Sequence, residues 1–173
     1  MATERLNEIA LPRCLFPSEH TVRRTELHTF SDASEEAFAT VTFNRYVYED
    51  GTVVTRFVMA KTKVGPSKTI SVAKLELQTA LLGAQVANYV QEALTRLVHR
   101  RYFWTDSSSV RNWIRSTAAY YKPFVNHRIG EIQTLTEPQE WQFVPWAKNV
   151  GDLATRSDLS PGCCIPEEWL VGP

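Results

Sequence analysis

Four carboxylates occupy settings that an acid does not ordinarily take: Asp32, Glu76, Asp106 and Asp152. Asp32 and Asp106 follow runs with the same grammar, LHTFSDAS (27–34) and RYFWTDSSSV (101–110), in which apolar residues lead to a small hydroxyl residue, the acid and more small residues. Read as strands, both runs bring the carboxylate out of the core edge at their C-terminal end. Glu76 lies in a stretch free of proline that reads as a long helix from Lys74 to Arg96. On a helical wheel, Ala80, Gly83, Ala87, Val90, Leu94 and Val98 fall within about 40° of Glu76, whereas Gln78, Gln85, Glu92 and Arg96 lie opposite. The acid therefore sits at the centre of the apolar face, above small residues that let the helix backbone approach a sheet. Asp152 opens a brief last helix expected over Asn149 to Arg156.

An isolated buried carboxylate costs several kcal/mol or is driven to its neutral form, so a compensating cation is expected. If the four acids converge, their mutual repulsion makes a strong site for a hard divalent cation, and Mg²⁺ favours a few carboxylates together with water and substrate phosphate. Each acid alone also has a structural explanation. Asp106 before Ser107 could cap a helix, Asp152 three residues after Asn149 fits a capping box, and Asp32 before Ala33-Ser34 could form an Asx turn. Glu76 is the hardest to explain this way, since neither capping nor the helix dipole requires an acid to face the core. The conjunction decides, and it requires that no arginine or lysine plug the cluster.

The elements that must position these residues follow from pattern. Strands are expected over 27–30, over Ala37 to Tyr48 and, after a Glu49-Asp50-Gly51 turn, over Val53 to Ala60, which together make an antiparallel meander. Residues 63–73 read as a loop, Tyr102 to Thr105 as a short strand, Ser107 to Ala119 and Val125 to Leu135 as helices and Trp141 to Val144 as a last strand. Strands first, then helices alternating with single strands, indicate an α/β mixed sheet covered by helices. Residues 1–25 read as a lead-in packed on the domain, 26–157 as the domain itself and 158–173 as a proline-rich tail.

Composition narrows the function. The chain has 173 residues, 43% hydrophobic and 22% charged, and a formal net charge of zero, so it can bury one core and carries no overall field for a polyanion. No stretch reaches the roughly 18 apolar residues of a membrane span. The acids in the opening MATERLNEIALPR argue against a secretory signal, and Cys14, Cys163 and Cys164 have no metal-ligand spacing, so an intracellular, reducing setting is expected. The histidines at 20, 28, 99 and 127 lack partners at ligand spacing and read as structural or surface residues. Of the five tryptophans, only Trp146 sits where it could stack on a base near Asp152.

The order of acids, one after the first strand, one in the first helix, one after the fourth strand and one in a late short helix, resembles the ribonuclease H family. More narrowly, the chain resembles the ribonuclease H domain of Pao/BEL-type LTR retrotransposon polyproteins. The matching pieces are LPRCL (11–15), LHTFSDASEEAF (27–38), AKTKVGPSKTISVAKLEL (60–77), FWTDSSSVRNWI (103–114), FVNHRIGEIQTLT (124–136), WQFVPWAKNVGDLATR (141–156) and the terminal WLVGP. The resemblance implies a ribonuclease H-like, five-stranded mixed sheet, three antiparallel strands and then two parallel, flanked by helices. It implies two Mg²⁺ ions, replaceable by Mn²⁺, with Asp32 bridging them, Glu76 and Asp106 completing the shells and Asp152 holding the ion that activates water. It implies hydrolysis of the RNA strand of RNA/DNA hybrids during reverse transcription, recognised through helix form and 2′-hydroxyls. It further implies an adjacent reverse transcriptase in a polyprotein and a cytoplasmic virus-like particle, or the nucleus, as the location.

Candidate substrate contacts lie around the acids: Ser34, Lys74, Ser107, Ser108, Arg111 and Lys148. Lys61, Lys63, Lys68 and Arg115 also flank the proposed site, although scattered surface cations more often serve solvation. The chain departs from its relatives at Ala39, where a glycine is common, and at Lys74, where an arginine is. The loop Pro145 to Gly151 lacks the histidine that many cellular ribonucleases H carry, and Lys148 is a candidate phosphate contact in its place. The alternative to an enzyme is a domesticated, catalytically silent module that binds nucleic acid or protein, and it is expected to have lost one of the acids. A DDE-type integrase is disfavoured because Glu76 comes second in the chain rather than last.

Overall fold

The structure is a computed structural model that describes residues 15, 21–66, 70–94, 98–116, 121–156, 169 and 171–172. The three cysteines, His20, Lys68, most of the lead-in and most of the proline-rich tail lie outside the described residues. The sheet is built from β1 (Val22–Ala33), β2 (Ala37–Tyr48), β3 (Val53–Val64), β4 (Arg100–Thr105) and β5 (Trp141–Phe143) in the order β3-β2-β1-β4-β5. The first three pair antiparallel, and β4 and β5 join in parallel. This is the mixed five-stranded sheet expected from the sequence. Parallel pairing of β1 with β4 needs a crossover, supplied by α1 (Val72–Ala93).

Alternation along β1 divides the sheet into two faces. Leu27, Thr29 and Ser31 point toward α1, and Phe30 points to the other side, where it joins Val41, Phe43 and Val150. Helices α2 (Ser108–Arg115) and α3 (Pro123–Leu135) complete the covered side. The main core joins Leu27, Phe103 and Trp141 of the sheet to Leu77, Leu81 and Ala84 of α1, Ile114 of α2 and Ile129 of α3. Gly83 explains how closely α1 lies on the sheet: a Cβ there would meet Ser31 Oγ at 2.5 Å and Thr40 Oγ1 at 3.2 Å. The seam of small residues beneath Glu76 therefore does what its side-chain sizes suggest.

Several boundaries differ from the sequence reading. β1 starts at Val22 rather than Leu27, and β3 runs on to Val64, because pairing with β2 continues as far as Ala37 opposite Val64. α1 ends at Ala93 with Leu94 as its C-cap, so Val98 does not extend its apolar stripe, and residues 95–97, with Arg96, lie outside the described residues. Leu75, Leu82 and Val86 are buried as well, which widens the buried face of α1 beyond the stripe centred on Glu76. α3 packs on a second side of the helix. α2 stops at Arg115, and the last short helix is a 3₁₀ turn over Val150–Ala154.

Candidate active site

Register places two acids side by side. In the parallel pairing of β1 with β4, Ser31 is opposite Thr105, so the next residues, Asp32 and Asp106, leave adjacent strands at the same level. Neighbouring strands lie about 4.8 Å apart, which brings the two carboxylates within reach of each other, and the charge of Asp106 helps raise the Asp32 pKa. Glu76 enters from the second turn of α1 and accepts a hydrogen bond from Ser107. Asp152 arrives on the Val150–Ala154 turn, which lies against the end of β1. There Gly151 is needed for contact, because a Cβ on it would sit 3.2 Å from both the backbone nitrogen and Cβ of Asp32.

The structural explanations for the single acids give way to other residues. Ser107, not Asp106, caps α2 by accepting from the Val110 N–H. Ser34, not Asp32, makes the β1–β2 turn, accepting from the Glu36 and Ala37 N–H groups and donating to the Ala37 carbonyl. Asn149 does cap the last turn, accepting from the Gly151 N–H, while the Asp152 side chain is engaged by Arg156. Asp32 and Asp106 are thus left without a capping role.

All four carboxylates are half-buried, and three have raised pKa values. Burial pushes Asp32 up to about 6; a hydrogen bond from Thr155 opposes the rise, and the charges of Asp106, Asp152 and Glu76 add to it. Asp106 is raised by burial against a hydrogen bond from Asn149, with Asp152 contributing repulsion. Glu76 is raised by burial against the Ser107 hydrogen bond, with Asp106 contributing. The largest influences on these three are burial, hydroxyl and amide hydrogen bonds and the other acids. Asp152 is different: Arg156 Nε donates to its Oδ2 at 2.6 Å, and a second guanidinium nitrogen pairs with the same oxygen. The expectation that no arginine or lysine occupies the cluster fails at Asp152, where Arg156 is bound.

In charge and donor type this set fits a hard divalent cation: oxygen ligands, mutually repelling and partly desolvated. As placed, no three acid, imidazole or thiol groups among the described residues are gathered tightly enough to enclose an ion on their own. Water and substrate oxygens would have to complete any shell, as Mg²⁺ usually requires.

The candidate substrate residues divide. Ser107 stands at the site but is 8% exposed and occupied by Glu76 and the α2 cap. Ser34 is occupied by its turn. Ser108 is exposed beside Asp106, and Arg111 is half-buried one turn along α2. Lys74 lies 5.5 Å from the ring centre of Phe124 at the start of α3. Lys148 is exposed and lines a pocket of about 360 Å³ on the open face of the sheet with His28, Phe30, Arg45 and Trp104. Trp146 is 69% exposed, whereas Trp141 is fully buried. Sequence reasoning missed Thr155 and Arg156 as partners of the acids and saw Asn149 only as a cap, although its Nδ2 also donates to the Ser31 carbonyl at 3.1 Å.

Residues 2–107 match the Pao retrotransposon-like RNaseH-like domain. The chain belongs to that family. The match takes in Asp32, Glu76 and Asp106 and stops short of Asp152, so the Pao-type domain is recognised without the acid that Arg156 engages. No curated protein matches the chain. Loose structural likenesses are to ribonucleases H. The N-terminal RNase H domain of a Mycobacterium tuberculosis protein is 11% identical, with 75% of this chain and 86% of that one covered at a TM-score of 0.44. RNase H1 from Halobacterium salinarum is 14% identical over 74% and 90% at 0.42. LC11-RNase H1, isolated from compost and solved in complex with an RNA/DNA hybrid, is 10% identical over 73% and 89% at 0.45. At that distance the family match and the sheet order, rather than these likenesses, place the Pao-type domain.

Proposed function

We propose that this Pao-type domain is a divalent-cation-dependent ribonuclease H that hydrolyses the RNA strand of RNA/DNA hybrids. The observation that carries the reading is the convergence of Asp32, Glu76 and Asp106 from β1, α1 and β4 into one half-buried anionic group. Such a group costs folding stability, and a cation-binding role explains why it is kept. Asp32, Glu76, Asp106 and Asp152 would hold two Mg²⁺, or Mn²⁺, ions. The ions would supply an activated water and charge stabilisation at the leaving oxygen.

The protein's own residues supply placement. Thr155 orients Asp32, Ser107 orients Glu76 and Asn149 orients Asp106, so each carboxylate is aimed before a cation arrives. Ser108, Arg111 and Lys148 are the candidate contacts to the hybrid's phosphates. A zero net charge leaves little general attraction for a polyanion, so the reading includes an adjacent reverse transcriptase that supplies affinity. It also places the domain in a cytoplasmic virus-like particle or the nucleus.

The test is cleavage of a labelled hybrid with Mg²⁺ titrated in. Wild type should cut, and Asp32→Asn or Asp106→Asn should abolish cutting while circular dichroism stays native. Cleavage undiminished in excess chelator would remove the reading. A second reading, a silent nucleic-acid- or protein-binding module, is favoured by one observation, the Arg156–Asp152 pair; it expects hybrid binding without cleavage at any Mg²⁺ concentration.

A further inference from the structure

Asp152 has a cationic partner, and the partner is local. Arg156 lies four residues further on, with two of its three guanidinium nitrogens directed to Oδ2. The two side chains are 39% and 23% exposed, so the pair lies at the solvent-facing side of the group. The preceding residue, Thr155, donates its hydroxyl hydrogen to Asp32, and its backbone N–H bonds the Asp152 carbonyl. The dipeptide 155–156 thus holds the two acids that approach the site from β1 and from the last turn.

We propose that Arg156 is an internal counter-ion that competes with divalent cations for Asp152. With no cation present it neutralises the fourth carboxylate and limits repulsion in the cluster. A divalent cation ligated by Asp152 would repel the guanidinium, which, partly exposed and planar, is suited to take a phosphate oxygen of the substrate instead. Arg156 would then set the cation concentration at which the site fills and pass its charge to the substrate once it has filled. This rests on the four acids being cation ligands, as read above.

Calorimetric titration of Mg²⁺ into the full chain, at low ionic strength and without nucleic acid, tests the competition directly. Arg156→Gln should tighten Mg²⁺ binding roughly fivefold, the size expected for one partly exposed ion pair, and Arg156→Lys, which keeps a charge, should stay near wild type. In an Asp152→Asn background, Arg156→Gln should change nothing. Thermal melts in chelator establish that each variant is folded, and a merely structural role for Arg156 would lower the midpoint without tightening Mg²⁺. Binding that is abolished by Asp32→Asn but unchanged or weakened by Arg156→Gln overturns the competition alone. No Mg²⁺ binding by wild type or by Arg156→Gln overturns the reading of the acids and this inference together.

Discussion

The Thr155 hydroxyl donates to Asp32 Oδ2 across 123 positions of sequence. The bond ties the last turn to the end of β1 and opposes the rise that burial imposes on Asp32. Thr155→Val keeps the shape and removes the donor. A hydrogen bond to a charged group is worth about 1.5–3 kcal/mol, so the Asp32 pKa should climb by about one unit or more. The acid limb of the pH profile for hybrid cleavage should move upward by the same amount, with the alkaline limb unmoved. An unmoved acid limb would mean that Asp32 does not depend on this hydroxyl.

Asp32 also makes folding stability depend on pH in an unusual direction for an aspartate. Its folded pKa, about 6, lies above its ordinary 3.8, so between those values the folded chain binds more protons than the unfolded one. Stability is therefore full below the unfolded pKa and falls as pH rises through the folded pKa. In chelator, the thermal midpoint should drop between about pH 4 and pH 7. Asp32→Asn should abolish most of that drop and be more stable than wild type at pH 8. Mg²⁺ should restore wild type and leave the variant unchanged.

How much of this was legible in the sequence follows period and partner. The antiparallel meander, the mixed sheet and the long helix could be read because β2 and α1 each carry an unbroken pattern, and the burial of Ala80, Gly83 and Ala87 agrees with the wheel. Element ends were not legible, because β3 lengthens only through pairing with β2 and α1 stops without a glycine or proline to mark the place. The acids could be singled out because a carboxylate on an apolar face is a local contradiction. Thr155, Arg156 and the full role of Asn149 could not, because a threonine or arginine in a polar stretch contradicts nothing, and its partner is fixed only once the last turn docks on β1. Arg156 is the instructive case: it stands four residues from Asp152, at a spacing common to ordinary helical ion pairs.

Ser107 joins a structural role to a site role, and the two can be separated. It caps α2 through the Val110 N–H and bonds Glu76. Ser107→Ala should cost about 1 kcal/mol in chemical denaturation for the lost cap. It should also raise the Glu76 pKa, since the Ser107 hydrogen bond is what opposes burial there. Ser107→Asp should recover the cap but place another negative charge beside Glu76. Stability in chelator should not recover fully, and Mg²⁺ binding should change relative to Ser107→Ala. If both variants behave alike toward Mg²⁺, Ser107 serves the helix alone.

Gly83 tests whether the position of Glu76 depends on how closely α1 lies on the sheet. The two residues lie on one face of α1, and at Gly83 the nearest atom a Cβ would meet is Ser31 Oγ at 2.5 Å. That oxygen ends a short side chain on β1, one residue before Asp32, so relieving the contact means either turning Ser31 or lifting the helix. Gly83→Ala should destabilise by about 1–2 kcal/mol and Gly83→Val by about 3 kcal/mol or more, as overpacking does. Ser31→Ala removes the first obstacle and leaves Thr40 at 3.2 Å, so the Gly83→Ala/Ser31→Ala pair should recover roughly half of the single loss in a double-mutant cycle. Because a lifted helix carries Glu76 away from Asp106, Mg²⁺-dependent cleavage should fall in Gly83→Ala and return with stability in the double variant. Recovered stability without recovered cleavage would show that the Glu76 carboxylate is not placed by this contact.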